Sequence, residues 1–146
     1  MSEPASAVRQ RPVARPTPTQ SEPLQIAGVT LVADPDGALF WPAEGVLAIA
    51  DLHLEKASSY AERGVFLPPY DTVATLMRLS RLMTRYNPRC VIALGDSFHD
   101  GRGPSRLSDQ DRAGLLALQT GRDWIWITGN HDPDPATEIG RASCRE

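Results

Sequence analysis

Three short clusters in the chain combine residue types that ligate cations and handle protons: Asp51-Leu52-His53, Gly95-Asp96 and Gly129-Asn130-His131-Asp132. Each closes an apolar run. Glycine, asparagine and aspartate also build turns, and Pro133 and Pro135 follow the last cluster, but turn chemistry gives the histidines no task. Asp51 and His53 lie two apart, so on an extended backbone their side chains point the same way. Asp96 has two carboxylate oxygens with which to bridge a pair of ions. Asn130 offers a neutral amide oxygen, and His131 stays available beside the metals. Mixed imidazole, carboxylate and amide ligation suits manganese, iron or zinc, with manganese expected. Two such ions about 3.5–4 Å apart activate a water and clamp both oxygens of a phosphoryl displacement.

The clusters need a scaffold that brings them together. The runs before them, "GVLAIA", "RCVIAL" and "DWIWIT", are apolar enough for strands covered on both faces. Between the first two lies "DTVATLMRLSRLMTRY", whose apolar residues recur near the helical period, with Asp71 as its cap and Asn87-Pro88 as its stop. Between the last two lies "SDQDRAGLLALQ", with Ser108 as N-cap reinforced by Asp111. Strands alternating with helices predict an α/β fold, a mainly parallel sheet flanked by helices. Right-handed crossovers then carry all three clusters to the same sheet edge, where ligands of such sheets bind. Ahead of this unit, "LQIAGVTLVAD", with a turn or bulge at Gly28, and "ALFW" read as a hairpin about Asp34–Gly37. Trp124 and Trp126 alternate with Ile125 and Ile127 and are expected one on each side of the sheet, as core rather than base-stacking residues.

Bulk composition narrows the classes. A net charge of −3 excludes a chain that binds nucleic acid by overall charge, so any such contact must be local. Cys90 and Cys144 make no disulfide framework. No apolar stretch is long enough for a membrane span, and the N-terminus lacks a secretory apolar core, so the cytoplasm is the expected location. Residues 1–23, rich in proline and carrying Arg9, Arg11 and Arg15, read as a disordered tail, and residues 24–137 as the folded domain. Lys56, Ser58, Ser59 and Arg63 follow the first cluster in a polar loop; Lys56 and Arg63 either bind substrate phosphate or are solvated. Arg102 and Arg106 carry the same two readings.

D-x-H, GD and GNHD in this order, over about residues 46–134, resemble the calcineurin-like metallophosphoesterases. "ADLHLEKASSYAERGVFLPPYDT", "LGDSFHD" and "WIWITGNHDP" together are similar to the bacterial group of ligase-associated DNA damage response endonucleases. The resemblance implies the N-terminal half of an αββα sandwich. It implies that Asp51 and His53 hold one metal, Asp96 bridges, Asn130 holds the second, and His131 acts on the leaving-group oxygen. It places His99 near that catalytic histidine, against the plainer reading of a surface loop residue. The implied function is a two-metal phosphodiesterase or endonuclease on DNA or a smaller phosphodiester, in DNA repair, with DNA ligase and helicase partners. A phosphomonoesterase or nucleotide hydrolase, or a non-catalytic scaffold on the same fold, stays open. Family members continue to two more histidine motifs, whereas His53, His99 and His131 are all the histidines here. The ending "EIGRASCRE" looks like translated sequencing adapter, so residues 138–146 are expected to be a non-native tail. These 146 residues alone are accordingly expected to be weakly active or inactive.

Overall fold

A computed structural model describes residues 20–130. The chain opens as an antiparallel meander of four strands: β1 (Glu22–Ile26), β2 (Val29–Asp34), β3 (Ala38–Trp41) and β4 (Val46–Ile49). The first strand begins two residues ahead of the expected boundary. Gly28 makes a full reversal between β1 and β2, so the single expected hairpin is two. The next reversal is the anticipated Asp34–Gly37 turn, closed by Gly37 N–H donating to the Asp34 carbonyl at 2.9 Å.

From β4 the chain changes habit. Helix α1 (Lys56–Glu62) and helix α2 (Asp71–Tyr86) lead to β5 (Cys90–Leu94), and α3 (Gly103–Arg106) and α4 (Asp109–Gln119) lead to β6 (Asp123–Ile127). β4, β5 and β6 pair in parallel, in sequence order. The parallel part is therefore one half of a mixed six-stranded sheet, flanked by helices.

The periodic apolar face of α2 buries Leu79, Leu82 and Met83, and Leu115 of α4 joins them. Beneath lie Leu47 and Ile49 of β4, Val91 and Ala93 of β5, and Trp124 and Trp126 of β6, in one core cluster. Both tryptophans thus share the helix-covered face, with ring centroids 5.4 Å apart. The expectation of one on each side fails because residues two apart on a strand face the same way. The other face carries Leu39, Ala48, Ile92 and Ile125, side by side across four strands and only half-buried. Leu94 and Ile127, next along it, are exposed.

Two local expectations change. The polar segment after His53 is helix α1, built from "KASSYAE", whose small Ala57 and Ser59 pack inward. Asp71 does not cap α2; Tyr70 holds that position, and the Asp71 carboxylate accepts the Ala57 N–H of α1 at 3.1 Å. Ser108 caps α4 as anticipated, its hydroxyl accepting the Asp111 N–H at 3.0 Å.

Candidate metal centre

Parallel register sets the geometry. Ile49, Ala93 and Trp126 stand side by side in β4, β5 and β6, so the chain leaves all three strands at one edge. Beyond the strands two segments keep running together. His53 N–H donates to the Asp96 carbonyl at 3.0 Å, Leu54 N–H to that of Ser97 at 2.9 Å, and His99 N–H to that of Leu54 at 2.9 Å. Leu52, Leu54 and Phe98 are buried and pin these segments into the core. Asp51 and His53 are left toward solvent, with side chains 71% and 35% exposed.

The backbone here is not the extended one assumed from the two-residue spacing. Asp51, His53 and Glu55 have φ of 51°, 46° and 62°, and Asp96 has 48°, all left-handed and none glycine. Such conformations disfavour residues with a Cβ and persist where surrounding structure enforces them, often at functional sites. The enforcement is visible: the paired segments, the buried leucines, and the Glu55 carboxylate, which accepts Thr72 Oγ1–H at 2.9 Å and Ser58 Oγ–H at 2.6 Å. Gly95 has φ 88°, and a Cβ there would stand 3.2 Å from the Gly129 Cα. That close approach sets the glycines that precede Asp96 and Asn130 side by side.

Ligand atoms of Asp51, His53 and Asp96 all lie within 4.8 Å of one another. His53 Nε2 and Asp51 Oδ1 are 4.0 Å apart, too far for a hydrogen bond. With ligand bonds of about 2.1 Å, a first-row divalent cation spans such separations after modest side-chain rotation. Two carboxylates and an imidazole are also a fitting donor set. The residues present fit the metal.

The remaining expected residues fall at different places. Asn130 is exposed and directly follows Gly129. His99 lies behind them, its ring 6.0 Å from that of His53 and 5.5 Å from that of Tyr60. Lys56 opens α1 directly after the first cluster, but Arg63 follows its far end, about 10 Å along the axis. Both are exposed. Arg102 is exposed and pairs with Glu62 at 3.0 Å, whereas Arg106 is turned inward. His131, the arginines of the N-terminal tail and residues 138–146 lie outside the described residues.

One group of side chains escaped the sequence reading. Asp100 accepts from Ser59 Oγ, from the Arg106 guanidinium at 2.9 Å and from the Arg102 N–H at 2.9 Å. Burial acts to raise its pKa, but these hydrogen bonds and the Arg106 charge outweigh burial and hold it at about 2. Nothing in the spacing of "FHDGRGPSR" signals the arrangement, because Ser59, which completes it, sits on another helix 41 residues away.

No curated protein matches the sequence. The crystal structure of Pseudomonas putida nuclease MPE superposes with a TM-score of 0.63 at 30% sequence identity. The match covers 82% of this chain and 55% of that one, so the chain spans about half the length of the nuclease. Residues 45–144, which include all three clusters, match the calcineurin-like phosphoesterase family. The chain belongs to the calcineurin-like phosphoesterases.

Proposed function

We propose that the chain supplies metal ligands to a phosphodiesterase that cuts DNA, as an endonuclease in DNA repair. The observation that carries this is the convergence of Asp51, His53 and Asp96 within 4.8 Å at the carboxyl edge of the parallel strands. The likeness to a nuclease supports nucleic acid as the substrate. In this reading Asp51 and His53 would hold one cation, Asn130 would hold a second, and Asp96 would serve both. The ions, manganese in our proposal, supply Lewis-acid activation of water and charge stabilisation at the phosphoryl group when bound. His131 gives a proton to the leaving oxygen, His99 borders the same side, and Lys56 meets a substrate phosphate. Association with DNA ligase and helicase in the cytoplasm extends the resemblance; among the described residues no helix is long and apolar enough to cross a membrane.

Calorimetric titration with manganese tests the centre. The chain is expected to bind it, and D96N to bind at least about tenfold more weakly. Equal affinities in the two proteins would remove the centre. Metal-dependent turnover of bis-p-nitrophenyl phosphate and of plasmid DNA, in preference to p-nitrophenyl phosphate, is the expected signature of a diesterase. The reverse preference would point to a monoesterase.

A further inference from the structure

We infer that Arg106, acting through Asp100, is a positioning residue that sets His99 against the cation centre. This rests on the proposal above for what His99 does, and on the fold for how it is held.

His99 has its backbone fixed on one side by the hydrogen bond to Leu54, and its ring lies against Tyr60 of α1. A polar clamp adds to the ring contact in tying α1 to the loop that carries His99. Arg106 on α3 reaches across with its side chain only 12% exposed, and Nε donates to Ser58 Oγ at 3.0 Å. Its NH2 donates to Asp100 Oδ1 at 2.9 Å, and NH1 lies 3.4 Å from the Glu62 carboxylate. Ser59, 1% exposed, donates to the other Asp100 oxygen. One guanidinium fork therefore joins α1 at two residues to the residue that follows His99. A lysine has neither the fork nor the directionality to hold all these acceptors. These bonds commit most of the Arg106 donors to the protein itself, against the phosphate-binding role open to it in sequence.

The test is heteronuclear NMR on the chain labelled at histidine and tyrosine. R106M keeps most of the aliphatic stem and removes the fork. It is expected to shift the His99 ring resonances and abolish their cross-peaks with the Tyr60 ring. The His53 resonances should still respond to added zinc, as in wild type. R106K should retain part of the cross-peak intensity. S59A removes one donor of the clamp with little change of volume and reports the same contact if R106M does not fold; a weakened His99–Tyr60 cross-peak is expected. Unmoved His99 rings in folded variants overturn the inference. A wild-type His53 that ignores zinc overturns the cation reading alone, because the ring contact is read without metal.

Discussion

Asp34 and Asp96 show two opposite uses of a carboxylate. The Asp34 side chain is fully buried, and burial alone would raise its pKa. Hydrogen bonds from Tyr86, the Asp36 N–H, Arg85 and Ser21 outweigh burial and bring it down to about 2 from 3.8. A folded-state pKa below the unfolded value contributes stability that is complete above pH 3.8 and disappears as pH falls through about 2. The contribution is about 2 kcal/mol. Asp100 adds less in the same window, because it is partly exposed. Urea melts from pH 6 down to pH 2 should lose this increment in the wild type, and D34N should show a flatter profile. Asp96 carries cost instead, as a left-handed residue close to a second carboxylate. Asparagine tolerates that conformation better and removes the repulsion. D96N is therefore expected to melt above wild type without metal, by about 0.5 kcal/mol, and below it in excess manganese. Calorimetric scans in chelator and in manganese check the crossing. The convergence of Asp51, His53 and Asp96 was legible because few residues combine such types at strand ends. The left-handed backbone of these three was not, because Asp and His tolerate that conformation more often than most residues but adopt it only where surrounding structure imposes it.

At the scale of the element, legibility followed apolar period. Helix α2 runs over the sixteen residues its pattern marks, and α4 starts where its capping residues say. Helix α1 has no such pattern. Its seven residues are held from outside, by Asp71 at the N-terminal turn and by Arg106 along its side, and those partners are distant in sequence. Gly103 is a similar case. A Cβ there would meet Phe98 Cδ1 at 2.6 Å and Phe98 Cβ at 2.8 Å, so α3 packs directly on the ring between Ser97 and His99. G103A is expected to destabilise the fold by about 1–3 kcal/mol. Because Phe98 is fully buried and pairs with Leu54, the shift should reach the His53 and Asp96 backbones. Weaker manganese binding, beyond the loss of stability seen in denaturant melts, is the outcome that would show it.

For the whole molecule, the sequence pattern identified the α/β class and the common edge of the parallel strands, yet understated the antiparallel half. Short strands such as β1 and β3 carry little periodic signal, and the number of turns between them depends on single residues near Gly28. The two faces of the sheet also differ in a way that no residue count reveals. One is filled by α2 and α4; the row Leu39, Ala48, Ile92 and Ile125, with Leu94 and Ile127 beyond it, is oily and wet. A patch of this kind invites company. Purified as it stands, the polypeptide should light up anilinonaphthalene sulfonate while giving native-like near-ultraviolet circular dichroism. It should also sediment faster as concentration rises, and I92K should dim the dye and slow the boundary together. A chemist handling it would meet this flank first, as stickiness on the column, well before any hydrolysis could be assayed.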